Sequence, residues 1–341
     1  MQLSSDARFQ VLQGMCVGGT TVVNNAVCFD VPGRVLERWN DEEGLDAGLD
    51  EPELRAAFAR MRQRLGVRRQ EPNVPLNPGA AKFTEGARKL GLDRPPAELH
   101  VVEANIDDCL GSGYCNMGCP YGKKLSMLDV TLPNAQAEFG ADAVRVFSEC
   151  EAEKLVRTNG RVTGVACKLS DGRTLEIAAN TTVLSGGAMA CVGSVVGTRR
   201  NAHVKPGKKL WDVKLDYKPD RGDLDRLVHG LELIGRSFLA AGALKVMPTT
   251  FKYLPITDEG GLEEIGRTVR DNTDIQLHSS HPQGGNPMSR SAEKGVVDSR
   301  FRPHGIDGLH VCDASVFPSS ITVNPQLTVM ALASYAADRI E

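Results

Sequence analysis

The stretch SSHPQGGNP sets His281 directly before Pro282, and SSITVNPQLTVMALASYAAD sets Asn324 directly before Pro325. A neutral imidazole can take a hydroxyl proton near neutral pH, and a carboxamide can hydrogen-bond the same oxygen and fix its orientation. Proline is favoured at the first position of a helix, where free N–H groups carry partial positive charge. Two rigid turns of this kind are suited to removing a proton from an alcohol while a hydride leaves for an acceptor. Plainer roles exist for each part. A histidine in a Gly- and Pro-rich loop is more often a surface or structural residue, and Asn324 could simply cap a helix.

A second group with chemical potential is CLGSGYCNMGCPYGKK, which spaces Cys109, Cys115 and Cys119 ahead of Pro120. With Ser112 counted, it copies the bacterial ferredoxin run in which four cysteines hold iron–sulfur clusters. Ser112 removes one thiolate, no second cysteine run completes a cluster, and no histidine stands nearby to finish a zinc site. An iron–sulfur electron carrier, a zinc site and a structural turn therefore remain alternatives, with the turn expected and no metal assigned. Cys16, Cys28, Cys167 and Cys312 lie in apolar runs and read as core residues.

The elements that must position these groups follow from composition and periodicity. The 341 residues allow one large or two modest domains, with 41% hydrophobic and 24% charged residues and a formal net charge of −3. That balance gives no reason to expect a nucleic-acid partner. No apolar run reaches the ~20 residues of a membrane span, and MQLSSDARFQ lacks the pattern of a secretory signal, so a cytoplasmic protein is expected. Nine cysteines, an odd number, fit free or ligating thiols better than a disulfide framework.

FQVLQGMCVGGTTVVNNAVCFDVP reads as a strand, a tight Gly turn and a buried segment, with Thr20 and Thr21 also acceptable as strand residues. Residues 35–66 have a helical period, with Leu36, Trp39, Leu54, Phe58, Met61 and Leu65 as the buried stripe. Strands are expected from 144 to 187, with Asp171-Gly172 turning a hairpin. A helix spans about 222–243 on Leu224, Leu227, Val228, Leu231, Ile234, Phe238 and Leu239, with Asp220 or Asp223 at its start and Gly242 at its end. The last helix runs from Pro325 to about Ile340. Asp313 could cap a turn.

Taken together and in order, GMCVGGTTVVNN, VLSGGA, HPQGGNP and GLHVCDASVFPSSITVNPQLTVMALASYAAD resemble the glucose–methanol–choline (GMC) family of flavin-dependent alcohol oxidoreductases, closest to the branch of the cholesterol oxidases with a His and Asn pair. The resemblance implies an α/β fold: an incomplete, Rossmann-like FAD-binding domain with a reduced substrate-binding or cap region. It implies FAD as cofactor and a small-molecule alcohol, bulky and apolar or sterol-like, as substrate, with His281 as base and Asn324 as orienter. Gly18, Gly19, Thr20, Thr21 and Asn24 would wrap the flavin, and a strand ending near Glu149 and Cys150 would pass the adenine. Gly186, Gly187 and Ala188 would close a second turn beside the cofactor, and Asp313 and Ala314 would lie by the ribityl and phosphate groups. Pro325 would begin a helix whose dipole contributes ~0.3–2 kcal/mol toward negative charge on the reduced ring. The chain would divide into residues 1–30 of the FAD domain, a cap region 31–140 with the Cys-rich turn, FAD-domain strands 141–190, a shortened substrate domain 191–270, and the C-terminal part 271–341 with the pair.

Two departures bear on function. Full members begin with a strand, a G-x-G-x-x-G turn and a helix that bind the ADP half of FAD, and these residues contain no such motif. The segment after VLSGGAMA is short, so part of the wall that selects the alcohol is expected to be missing, leaving sheet edges open to a partner. A truncated chain is expected, holding FAD weakly alone, with a partner chain as one source of the ADP-binding segment. The alternative to an active enzyme is a non-catalytic, degenerate remnant.

Overall fold

The computed structural model describes residues 2–3, 9–11, 13–41, 46–70, 78–92, 94, 102–186, 202–206 and 213–340. In chain order its strands are β1 (Gln2–Leu3), β2 (Phe9–Val11), β3 (Arg68–Arg69), β4 (Glu103–Ala104), β5 (Cys150–Thr158), β6 (Arg161–Leu169), β7 (Thr174–Ala178), β8 (Thr182–Leu184), β9 (Ala202–Pro206), β10 (Val213–Tyr217), β11 (Leu277–Ser279) and β12 (Leu309–Val311). Its α-helices are α1 (Gly33–Asp41), α2 (Glu51–Arg64), α3 (Pro78–Lys89), α4 (Leu132–Phe139), α5 (Arg221–Ala240), α6 (Glu259–Thr268) and α7 (Gln326–Ala337).

Two parallel strand pairs organise the part of the fold that matters here. β11 lies parallel to β2, with Leu277 opposite Phe9 and Ser279 opposite Val11. β12 lies parallel to β8, with Leu309 opposite Thr182 and Val311 opposite Leu184. In parallel pairs both chains leave at the same end, and in α/β proteins that carboxyl end is where ligands sit. Four loops leave these ends: 13–24, 280–288, 185–186 and 312–317.

One core supports them. On α2 the stripe Leu54, Phe58 and Met61 is buried, and Asp50 caps the helix by accepting the Glu53 N–H at 2.9 Å. The helix packs on α7, which buries Leu327, Thr328, Met330, Ala331, Leu332, Tyr335 and Ala336. A helix buried on nearly every side must be apolar all round, as LTVMALASYAA is. Trp39 is fully buried, stacks at 5.3 Å on Phe317 and donates its indole N–H to Ser319 Oγ at 2.9 Å. This ties α1 to the loop that follows β12.

A second cluster joins α5 and α6 through Leu224, Val228, Leu262, Ile265 and Val269. Asp220 caps α5 by accepting the Asp223 N–H at 2.8 Å, and Gly242 takes φ 88° just past its end, as the sequence suggested. The buried face is rotated from the one expected. Ile234 is 45% exposed, whereas Gly235 and Ser237 are buried. The cause is close helix contact: a Cβ on Gly86 of α3 would stand 1.6 Å from the Ser237 carbonyl oxygen, and one on Gly235 would meet Leu262 at 2.6 Å.

β5, β6 and β7 form an antiparallel meander with Asp171-Gly172 in the β6–β7 turn. Asn159 (φ 51°) and Gly160 (φ 84°) make the β5–β6 turn, since a two-residue hairpin of this hand needs positive φ at both positions. Strand structure begins only at Cys150, not at 144; Glu149 at φ 53° breaks the extended backbone. Thr20 and Thr21 are not strand residues but lie in a 3₁₀ turn, Gly19–Thr21, entered through left-handed Gly18 at φ 86°. The last helix stops at Ala337, short of Ile340, and Pro325 sits just before it as its cap. Cys28, Cys167 and Cys312 are buried as expected, but Cys16 is exposed, because the Gly turn carries it outward. No described helix is long and apolar enough to cross a membrane.

Candidate active site

His281 stands two residues past the end of β11, in the turn that Ser279 stabilises by accepting the His281 N–H at 3.0 Å. Asn324 stands one residue before the capping Pro325. Forty-three positions apart, their side chains meet: Asn324 Nδ2 donates to His281 Nε2 at 3.2 Å. In that arrangement the ring is neutral and carries its proton on Nδ1. Burial holds the imidazole below the ordinary histidine value, which favours the same neutral form. Asn324 therefore spends its amide on His281, and α7 receives no side-chain cap from it.

Gln283 holds the two turns at a fixed spacing. Its side chain is 4% exposed, its amide donates to the His281 carbonyl at 3.3 Å, and its carbonyl accepts the Ile321 N–H at 3.1 Å. Between Ile321 and Asn324, Thr322 takes the left-handed φ of 63°, a conformation costly for a β-branched residue.

The loop that follows β12 is tied to the His281 loop, and the two remaining loops are tied to each other. Gly284 and Gly285 donate to the carbonyls of Ala314 and Ser315 at 2.9 and 3.0 Å, and Asn286 Nδ2 donates to Ser315 Oγ at 3.0 Å. Asp313 caps the short turn Ala314–Val316 by accepting the Ser315 N–H at 2.8 Å. Gln13 Nε2 donates to the Gly186 carbonyl at 2.8 Å, so the loops after β2 and β8 are also joined. Gly187 lies outside the described residues.

Within the first loop, Thr20 Oγ1 accepts the Gly14 N–H at 3.1 Å, and Thr21 donates to the Gly18 carbonyl at 2.6 Å while accepting the Met127 N–H at 3.1 Å. Asn24 Oδ1 accepts the Ala26 N–H at 2.9 Å. These side chains shape the loop. At Gly19 (φ 57°) an added Cβ would meet nothing within 4 Å, whereas at Gly18 it would meet Val22 at 2.9 Å. Lys124, 4% exposed, pins the loop from behind by donating to the carbonyls of Val22 (2.5 Å), Asn24 (2.8 Å) and Cys115 (2.8 Å). Cys150 opens β5 opposite Leu169, at the far end of that strand pair from the Val162 N–H that bonds the Asp307 carbonyl.

Gln13, Gln283, Lys124 and Gln326 were not singled out by sequence. Each acts through a contact distant in the chain, and glutamines and a lysine carry no local signal of such a role. Gln326, the first residue of α7, donates to Asn105 Oδ1 at 2.9 Å and to Cys28 Sγ at 3.3 Å. Its Oε1 is buried without a donor among the described residues. Burial pushes the Cys28 thiol up to about 11, so it stays protonated. An unpaired acceptor beside the free N–H groups at the start of α7 fits the polar edge of an isoalloxazine ring.

Comparison with known proteins identifies the family. The family model described as GMC oxidoreductase matches in two parts, its N-terminal part over residues 2–193 and its C-terminal part over 192–333. An uncharacterized GMC-type oxidoreductase of Mycobacterium tuberculosis is 25% identical over 418 residues, covering 96% of this chain and 64% of the relative. The long-chain-alcohol oxidase FAO1 of Arabidopsis thaliana is 23% identical over 459 residues, covering 100% of this chain and 59% of that protein. The chain thus spans about 60% of the length of these curated relatives. Both alignments run longer than 341 residues, so the relatives carry internal segments with no counterpart here. In fold, the chain is similar to pyridoxine 4-oxidase from Mesorbium loti (TM-score 0.63, 14% identity, 96% of this chain and 84% of that one). It is also similar to an FAD-dependent oxidoreductase from Chaetomium thermophilum (TM-score 0.66, 11% identity, 96% and 86%). With family-model matches covering nearly its whole length, the chain belongs to the GMC oxidoreductases, a family of FAD-dependent flavoproteins.

Proposed function

We propose that this chain forms the substrate-oxidising part of an FAD-dependent oxidoreductase acting on the CH–OH group of an alcohol. The observation that carries the proposal is the 3.2 Å contact between Asn324 and His281, set among loops that leave two parallel strand pairs. An alcohol oxygen can replace that direct contact by donating to His281 Nε2 and accepting from Asn324 Nδ2. His281 then takes the hydroxyl proton while Asn324 fixes the oxygen, and a neutral buried imidazole is in the correct state to do so. FAD, when bound, supplies the hydride acceptor.

The cofactor is assigned to the backbone of Gly18, Gly19, Thr20, Thr21 and Asn24, to Gly186 and Gly187, to Asp313 and Ala314, and to the start of α7 at Pro325. Cys150 was assigned to the adenine side by resemblance. A bulky apolar alcohol is the proposed substrate class. The long-chain-alcohol oxidases among the relatives support it, and a sterol is the narrower form of the same idea. The 341 residues contain no G-x-G-x-x-G turn, and the ADP half of FAD is proposed to be held by a segment outside them, with a partner chain as one source.

The test is anaerobic mixing of the FAD-loaded protein with a long-chain primary alcohol, followed by the visible absorbance of oxidised flavin. Loss of that absorbance supports the proposal. Retained absorbance with long-chain alcohols and sterols alike, in protein shown to hold FAD, overturns it.

A further inference from the structure

Three thiols outside the His281 site share one surface concavity, where Cys109, Cys115 and Cys119 stand with Ile106, Tyr121 and Lys124. All three are partly exposed. Among the described residues, no three His, Cys, Asp or Glu side chains are arranged to hold a metal ion. The question is what else a cluster of thiols beside a buried ammonium can do.

Two of the three sulfurs accept a backbone N–H: Gly111 donates to Cys109 Sγ at 3.4 Å, and Cys119 has a donor of its own. The turn after it closes through the Gly122 N–H and the Cys119 carbonyl at 3.1 Å, folding the chain back so that the Lys123 N–H points at Cys119 Sγ, 3.4 Å away. A backbone N–H aimed at a sulfur favours negative charge on it. Lys124 adds a full charge: its buried ammonium acts on both Cys115 and Cys119, with Asp129 as the other anion it feels. Partial desolvation raises the Cys119 thiol, yet the amides and the ammonium outweigh it and hold the group below its ordinary value. Cys16 is the contrast, for it is exposed and its thiol donates to the Gly19 carbonyl at 3.6 Å.

We infer that Cys119 is a peroxide-reactive thiolate and that Cys115, in the same concavity and beside the same ammonium, is its resolving partner. The Cys119 sulfur attacks the terminal oxygen of a hydroperoxide; an S–O bond forms, the O–O bond breaks, and the departing alkoxide or hydroxide takes a proton. The Cys115 thiolate then attacks the sulfenyl sulfur, forming S–S as the S–O bond breaks and hydroxide leaves as water. Two electrons pass from the thiol pair to the hydroperoxide.

The consequence runs through Lys124. Its ammonium holds the carbonyls of Val22 and Asn24 in the Gly18–Asn24 loop as well as the Cys115 carbonyl. Forming the disulfide pulls on the backbone of Cys115, whose carbonyl shares that ammonium with the loop, and so disturbs the hold on the loop. Reduced flavin retention on oxidation follows; this last step alone rests on the cofactor assignment above, whereas the thiol chemistry does not.

The experiment uses the full chain, purified without oxygen, in two stages. First, iodoacetamide labelling near neutral pH is followed by peptide mapping, and Cys119 is expected to alkylate several-fold faster than the exposed Cys16. Next, stoichiometric hydrogen peroxide is expected to remove two hydrogens and join the Cys115 and Cys119 peptides, reversibly with dithiothreitol. Cys115→Ser is expected to stop at a dimedone-trappable sulfenic acid on Cys119. Labelling of Cys119 no faster than Cys16, a disulfide to Cys109, or iron with acid-labile sulfide in the anaerobic protein overturns the inference.

Discussion

Asn324 Nδ2 donates to His281 Nε2 across 3.2 Å, and the two residues are brought together by elements that never touch in sequence. His281 follows a strand paired parallel to residues near the N-terminus, and Asn324 precedes a helix buried in the core. The contact is held by packing on both sides, which is how a pair of small polar groups can be kept in one geometry.

Gln283 is expected to act as a positioning residue for this pair. Gln283→Leu removes both the donor to His281 and the acceptor for Ile321 and leaves the Ile321 N–H buried without a partner, at a cost of ~1–3 kcal/mol. Flavin reduction is expected to slow with little change in FAD affinity. The check is a comparison of rapid-reaction traces with an FAD titration, and the nuclear magnetic resonance shift of the His281 ring reports displacement without any substrate. A His281 signal and a reduction rate that both match the parent contradict the role.

The pH dependence follows from the sign of one shift. Burial lowers His281, so its base form persists below the ordinary value of ~6.5, and flavin reduction is expected to stay level through neutrality and fall only on further acidification. The unfolded chain binds this proton more readily than the folded one. Its contribution to stability is therefore complete above the ordinary value and is lost as pH falls from there through the folded value. Thermal melts of the parent and of His281→Ala across this window measure it, since the variant lacks that part of the slope.

Lys124→Met is expected to loosen the loop that carries Gly18 and Gly19. The substitution keeps the stem but leaves the carbonyls of Val22, Asn24 and Cys115 without their common donor. Each buried orphan costs ~1–3 kcal/mol, although water reaching the concavity recovers part of it. A lower melting temperature and weaker FAD retention are the expected outcome, read by thermal melting and by flavin release on dilution. An unchanged melting temperature contradicts it.

How much of this was legible in the sequence depended on the range of each contact. The Leu54, Phe58 and Met61 stripe, the Asp220 cap, and the turn at Asp171-Gly172 are local patterns, and the structure has them. The Asn159-Gly160 turn was equally local and was overlooked. The parallel pairing of β2 with β11 joins residues 9–11 to 277–279, and nothing in either triplet announces its partner. Ile234 was expected in the α5 core because period alone placed it there, but Gly86 and Gly235 let the neighbouring helices approach another face. His281 and Asn324 could be named from motif order, whereas Gln283 and Lys124 needed coordinates because their roles lie in backbone carbonyls and amides they reach across the fold.

The most direct test compares anaerobic flavin reduction by a long-chain alcohol in the parent protein and in His281→Ala, with FAD occupancy matched. Loss of general-base assistance predicts a rate lower by ~10²–10⁴-fold at unchanged FAD affinity. Equal rates in the two proteins would show that His281 does not take the alcohol proton.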